Sequence, residues 1–468
     1  MLTAPAGTEA STDPRLAAAL TLLGAQLEAE RQEKDIPGLA VAVVREQEVI
    51  WSRGLGLANL KDGRPMQADT IFRVGSITKV FTATMMMQLR DAGRLQLDDP
   101  VERHIPGFTI RSPFPGSRPV TLRQLASHTS GLPVEAPLDH FRTMVFPSGA
   151  EMAMSLKDAE LGFMPGTQFR YSNAGFAVLG HALERAAATP YAEYVSACIL
   201  RPLGMADSGF DAGPDVERRM ATLYRARRGD RRQVEMFHPE IGGLVPSGHL
   251  YSTVNDMARF IALQFSTGTA EANGVLDAGS LQETRAPNYV APDWSGGIGL
   301  GWHLSRLGSH TAVNKSGVTF GSTTDAAFIP ALKLGIAVCV NSIALAPLMT
   351  RSGLELLAPI VEKLSQPPAV DQLPVDPRQW EIYIGTYAWP LMQLAIDVKI
   401  VDGRLTVVAD SGLGVETVTL VPHAEHTFRM QGGSVSGELA RFELGEDGRV
   451  RYLHFGPYTF EREGEPEE

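Results

Sequence analysis

The chain has 468 residues, of which 44% are hydrophobic and 20% charged, and a formal net charge of −11. That length exceeds one ordinary domain and suggests two or three with a large buried core, while no apolar run approaches the roughly 18 residues needed to span a bilayer. The acidic balance argues against nucleic acid as a general partner, and two cysteines, Cys198 and Cys339, cannot form a disulfide framework and read as buried reduced thiols.

In chain order, Met1 to Gly7 lack the basic start and apolar stretch of a signal peptide, so a cytoplasmic location is expected, or a periplasmic or secreted one if a leader has been removed. Leu16 to Lys34 read as an amphipathic helix, and Gly38 to Val44 followed by Val49 to Trp51 as two antiparallel strands. The β-like run Thr70-Ile71-Phe72-Arg73-Val74-Gly75 then turns into Ser76-Ile77-Thr78-Lys79, which opens an apolar helix through Met85, Met86, Met87 and Leu89 to about Ala92. Residues at i and i+3 share a helix face, so the Lys79 amine can reach the Ser76 hydroxyl. Serine is a poor nucleophile until a neighbouring base takes its proton, and lysine is such a base only when burial or another cation lowers its pKa. This is the sole Ser-x-x-Lys in the chain. The methionines read as core filler.

From about residue 95 to 290 helical patterns alternate with Pro- and Gly-rich loops. Thr121 to Pro133 read as a short helix ending in a turn, with His128 as a hydrogen-bonded turn histidine. Tyr171-Ser172-Asn173 follow the exposed turn Phe163 to Thr167, and Arg225, Arg227, Arg228, Arg231 and Arg232 around Gly229-Asp230 read as a solvated hairpin tip. Lys315-Ser316-Gly317 precede a run expected to be an edge strand, and β-like runs return at Asp325 to Ile329 and Leu334 to Val340. Strands, helices, then strands imply a sheet closed by both ends of the domain around a helical insertion.

A proline-rich stretch from Gln366 to Pro377 is the best linker, since it can continue neither a helix nor a sheet interior. The domains expected are therefore 1–365, with its helical part within about 95–290, and 378–468, joined by 366–377. Past the linker, Ala395 to Val401, Leu405 to Val408 and Tyr452 to Phe455 are short strands separated by turns, the pattern of an antiparallel barrel or sandwich. His423 and His426, three apart in a β context, face opposite sides and do not read as a metal site. Glu461 to Glu468 form an acidic tail expected to fray.

Taken together, several stretches resemble the serine β-lactamase and penicillin-binding-protein superfamily, in its class C-like branch with the family VIII carboxylesterases and D-aminopeptidases. They are Ser76-x-x-Lys79, Leu95 to Val101, Ser127-His128-Thr129-Ser130-Gly131-Leu132, Tyr171-Ser172-Asn173 with Gly175, Pro202-Leu203-Gly204-Met205 and Lys315-Ser316-Gly317, in the family's order over about residues 35 to 345. The resemblance implies an α/β (α+β) fold, an antiparallel sheet flanked by helices with an all-helical subdomain. Tyr383-Ile384-Gly385-Thr386-Tyr387 and the strands beyond resemble the lipocalin-like barrel appended to some serine peptidases and esterases of this superfamily.

Roles implied by the resemblance are Ser76 as nucleophile, with Lys79 and Tyr171 sharing the base work, the phenol flanked by ammonium groups and so lowered in pKa. The backbone N–H groups of Ser76 and Val318 would form the oxyanion hole. Asn173 would hold a substrate amide or orient Lys79, and Lys315 with Ser316, beside Gly317, would bind a substrate carboxylate. No cofactor and no metal are implied. The expected partner is a small-molecule or peptide substrate, with homo-oligomer formation through the C-terminal domain left open. The activity implied is acyl-enzyme hydrolysis of small peptides or amides, D-residues included, or of short-chain esters. The alternatives are a class C-like β-lactamase and, outside enzymes, a penicillin-binding sensor or assembling scaffold.

Overall fold

A computed structural model describes residues 13–226, 233–270, 274–365, 377–410 and 415–463. The chain divides into two compact units, residues 1–365 and 366–468.

The first unit begins with helix α1 (Pro14–Glu33), started by Asp13, whose carboxylate accepts from the N–H groups of Arg15 and Leu16, and by a proline at its first position. Strands β1 (Gly38–Arg45), β2 (Glu48–Asn59) and β3 (Arg64–Pro65) follow. They join β4 (Tyr289–Val290), β5 (Gly296–Ile298), β6 (His303–Leu307), β7 (His310–Val318), β8 (Thr323–Ile329) and β9 (Leu334–Val340) in one nine-stranded antiparallel sheet. Its order is β3-β2-β1-β9-β8-β7-β6-β5-β4. The N-terminal β1 lies against the late β9, Leu39 opposite Val340, so both ends of the unit close the sheet, as the order of the elements implied.

Strand β1 is apolar from Gly38 to Val44 because helices cover both its faces. Ala40, Ala42 and Val44 enter one core with Phe81, Met85 and Met86 of helix α2 (Thr78–Asp91). The alternate residues Leu39, Val41 and Val43 enter a second core with Leu20 and Leu23 of α1 and Met349 and Leu357 of a C-terminal helix, residues 346–365. Period-two alternation thus divides one strand between two cores. The methionines of α2 are core residues.

The insertion between β3 and β4 is mostly helical and includes α3 (Asn173–Ala187) and α4 (Val254–Leu263). It also contains two small β pairs, Phe72–Arg73 with Tyr251–Ser252 and Leu223–Ala226 with Gln233–Met236. Arg225 lies in the second pair opposite Val234, while residues 227–232, with the other arginines, fall outside the described residues. The expected edge strand is corrected: Lys315, Ser316 and Gly317 lie within β7, an interior strand between β8 and β6, although the β6 ladder ends at Asn314 opposite His303 and these three residues pair with β8 alone.

The second unit is a closed barrel of eight antiparallel strands running from Gly385–Trp389 to Tyr458–Arg462. Its interior is apolar, with Tyr387, Val398, Leu405, Leu420, Phe442 and Leu453 all buried, and closure leaves no unpaired edge. Glu461 belongs to the last strand, opposite Ala388, so the tail does not begin where its charge does. Residues 366–376 and 464–468 lie outside the described residues. The His426 ring is hydrogen-bonded through Nδ1 to Tyr383 Oη at 2.7 Å. Among the described residues no helix is long and apolar enough to cross a membrane.

Candidate active site

Ser76 sits in a single 3-10 turn, Gly75–Ile77, that feeds directly into α2. Gly75 has φ +55, a left-handed conformation that glycine adopts without strain. A Cβ there would lie 2.8 Å from the carbonyl oxygen of Val318 and 2.9 Å from its nitrogen. Thr78 stitches the turn down: its hydroxyl donates to the Gly75 carbonyl at 2.7 Å and accepts from the Leu250 N–H at 3.1 Å.

This turn brings Ser76 Oγ to 2.6 Å from the Tyr171 hydroxyl, which donates to it, and 3.2 Å from Lys79 Nζ. Lys79 is fully buried. Its amine donates to Asn173 Oδ1 at 2.8 Å and to the Ser247 carbonyl at 2.6 Å, and lies 4.8 Å from the centre of the Tyr171 ring.

Tyr171 and Asn173 flank Ser172, the N-cap of α3, whose hydroxyl accepts from the Gly175 N–H at 2.8 Å and donates to the Pro133 carbonyl at 2.6 Å. His128, in the turn after a short helix at Leu122–Ala126, accepts the Ser172 N–H at Nδ1 and lies 4.5 Å from the Tyr171 ring, centre to centre. Burial and the nearby lysines push its pKa well down, so it is neutral and holds the tyrosine loop through its acceptor nitrogen.

On β7, Lys315 is buried beside the same tyrosine, 5.1 Å from the ring centre, and its Nζ has no hydrogen-bond partner among the described residues. Gly317 allows the strand to touch the nucleophile turn. A Cβ at 317 would lie 1.9 Å from the Val74 carbonyl oxygen and 3.0 Å from Ser76 N. The backbones of Ser76 and Val318 are therefore neighbours. Ser316 is not brought into the site: its hydroxyl donates to Asp325 Oδ1 at 2.6 Å, beside Asn314 and Thr350, which also donate to that carboxylate. Period-two alternation puts it on the face opposite Lys315, which removes it from the expected carboxylate pair.

The electrostatics overturn the expected phenol. Burial drives the Lys79 pKa well down, Lys315 lowers it further and Glu135 opposes the shift. Burial takes Lys315 down to about 7 against the opposing pull of Asp325. Tyr171 moves the other way, up to about 12, because burial of a phenolate outweighs the hydrogen bond to Ser76. Two lysines sharing one dry pocket give up their protons before the phenol does. Burial thus pushes both lysines toward the neutral amine and the phenol toward its protonated form.

Two partners of the site were not visible in the sequence. Glu135 accepts from Asn173 Nδ2 at 2.5 Å, and the Ser247 carbonyl receives Lys79. A backbone oxygen leaves no residue signature, and Glu135 sits in an irregular loop with no period to read. Among the described residues no three His, Cys, Asp or Glu side chains converge as a metal site.

Comparison with known proteins supports the same grouping. The family described as Beta-lactamase matches residues 25–351. The chain is 31% identical over 362 residues to "Beta-lactamase-like protein 2" of Dictyostelium discoideum, covering 75% of this chain but only 65% of that protein. It is 30% identical to the "D-alanyl-D-alanine-carboxypeptidase/endopeptidase AmpH" of Escherichia coli (65% of this chain, 79% of that one), and 33% identical to "Esterase EstB" of Burkholderia gladioli (60% and 82%). The structure of an octameric penicillin-binding protein homologue from Pyrococcus abyssi shares the fold with a TM-score of 0.64 at 24% identity, over 94% of this chain and 99% of that one. The chain belongs to the beta-lactamase family, in the class C-like branch of the serine β-lactamase and penicillin-binding-protein superfamily.

Proposed function

We propose that the protein is a serine hydrolase that works through an acyl-enzyme at Ser76, on small peptides or amides, D-residues included, or on short-chain esters. The observation that carries this reading is a proton count around Lys79. A neutral amine has two N–H bonds, and both are committed, one to Asn173 Oδ1 and one to the Ser247 carbonyl. As an ammonium Lys79 also donates to Ser76 Oγ at 3.2 Å, which accepts from Tyr171 as well; when the amine is neutral and keeps its bonds to Asn173 and Ser247, its lone pair is the part that faces Ser76.

In that arrangement Lys79 takes the Ser76 proton as Oγ bonds to the substrate carbonyl carbon. The N–H groups of Ser76 and Val318 would receive the developing oxyanion. Collapse breaks the bond to the leaving amine or alkoxide, which takes the proton that Lys79 received, with the Tyr171 hydroxyl beside Ser76 Oγ placed to relay it, so that both groups end acylation in the forms they began in. Water then hydrolyses the ester at Ser76 by the reverse sequence of transfers. Lys315, buried with no acceptor among the described residues, suits a substrate carrying a free carboxylate, such as a peptide C-terminus. The E. coli and Burkholderia relatives, named as a carboxypeptidase and an esterase, support the peptide and ester classes.

The test is a turnover panel of p-nitrophenyl esters, D- and L-aminoacyl amides and a chromogenic cephalosporin, beside a Ser76→Ala control. Turnover confined to the cephalosporin would favour a β-lactamase. One stoichiometric acylation of Ser76 with no turnover of any substrate would favour a sensor.

A further inference from the structure

Asn173 is useful to the site only one way round. Its carboxamide oxygen receives Lys79 and its NH2 group must point away, yet the two ends of an amide are nearly identical in shape, so packing alone does not choose between them. What chooses is the group behind. The Asn173 NH2 donates to Glu135 Oε1 at 2.5 Å. Turned over, the amide would set N–H against the Lys79 amine and oxygen against the carboxylate, replacing two hydrogen bonds with two mismatches.

The loop carrying Glu135 is itself fastened to the start of α3. The Val134 carbonyl accepts the N–H groups of Asn173 at 2.8 Å and Ala174 at 3.1 Å, and the Pro133 carbonyl accepts the Ser172 hydroxyl. Glu135 is thus held against Asn173 by contacts that do not involve its own side chain. Its second oxygen, Oε2, is buried with no hydrogen bond among the described residues and faces the ring of the buried His140, whose Nε2 is 3.8 Å away. Among the described residues Asn173 is the close hydrogen-bond partner of the carboxylate, and the His140 ring is the group beside its other oxygen.

We propose that Glu135 is a positioning residue for Lys79, acting through Asn173: it holds the Asn173 amide oxygen toward Lys79 and so fixes where the amine's lone pair points. Glu135 touches neither Ser76 nor the reacting atoms. The inference rests on the acyl-enzyme reading above.

The experiment measures the rate of Ser76 acylation by a p-nitrophenyl ester in single-turnover mixing, with mass spectrometry to place the acyl group, in Glu135→Ala, Glu135→Gln, Asn173→Asp and the double variant E135Q/N173D. Glu135→Ala should slow acylation by about ten- to a hundredfold, while Glu135→Gln, whose amide oxygen can still accept, should stay within about fivefold of the parent. Asn173→Asp alone sets two carboxylates against each other and should be slow. E135Q/N173D restores one amide facing one carboxylate with the bond reversed, and should recover at least about tenfold over N173D. A purely structural role would not make the second substitution rescue the first, and thermal unfolding of each variant separates loss of fold from loss of rate. Parent-like acylation in Glu135→Ala, or no rescue in the double variant, would overturn the role of Glu135. Failure of the parent protein itself to be acylated at Ser76 would defeat the underlying reading of the site, and this inference with it.

Discussion

At the scale of single residues the site is a set of protons with assigned places. Ser76→Ala should abolish acylation and lower turnover at least about a hundredfold, and Lys79→Ala and Tyr171→Phe should cost nearly as much without adding in the double variant, since they act on one hydroxyl; labelling that persists at another serine would refute the assignment. Lys315 makes a sharper prediction, because its pKa of about 7 can be read in two ways. Its charged form exists below that value, so KM for substrates with a free carboxylate should rise as pH increases through about 7, while KM for neutral esters stays flat. Its folding contribution has the opposite sense. The folded pKa lies below the ordinary lysine value, so the unfolded chain takes up a proton that the folded protein refuses. The resulting cost is absent above about pH 10.4, grows as pH falls, and is complete below about 7. Lys315→Met should therefore raise the melting temperature by about 2 °C or more at pH 7, with the gain shrinking toward pH 10, and should weaken carboxylate substrates selectively. Equal loss on both substrate classes would place Lys315 in the proton network instead.

Close approaches between elements decide whether those residues meet. Strand β7 can press on the nucleophile turn only because residue 317 has no side chain, and the 1.9 Å approach to the Val74 carbonyl cannot be relieved by rotating a flexible group. Gly317→Ala should push β7 away from Ser76 and reduce acylation at least about tenfold with the fold retained, measured by circular dichroism beside single-turnover kinetics; a parent-like acylation rate would show that the strand's contact with the turn is dispensable. Gly180 plays the matching part on α3. A Cβ there would lie 2.1 Å from the Pro246 ring, one residue before the carbonyl that receives Lys79. The helix over Leu16 to Lys34 and the one opening at Ser76 were legible from apolar spacing. The longer extent of β2 was not, nor was the partner of the β-like run at Phe72 and Arg73, because these two residues pair with Ser252 and Tyr251 at great sequence separation over only two positions. So brief a pairing leaves no periodic trace.

At the scale of the whole molecule, the two units have separate cores: every residue of the barrel core lies between Trp380 and Phe460, and the other large clusters end by Val361. A chain ending at residue 365 should therefore fold and be acylated at Ser76, checked by a cooperative thermal transition and by mass spectrometry; an insoluble fragment would mean that the C-terminal residues complete the catalytic unit. By itself the sequence determined the order of the elements, the serine and lysine one turn apart, and the closure of the sheet by its two ends, since these follow from local periodicity and spacing. Only the tertiary structure decided which groups face Ser76. It turned Ser316 toward Asp325, made Lys79 share its pocket with Lys315, raised Tyr171 instead of lowering it, and brought in Glu135 and the Ser247 carbonyl. Direction across a strand, desolvation and backbone acceptors all depend on what lies beside a residue in space, and no neighbour in the chain reports that.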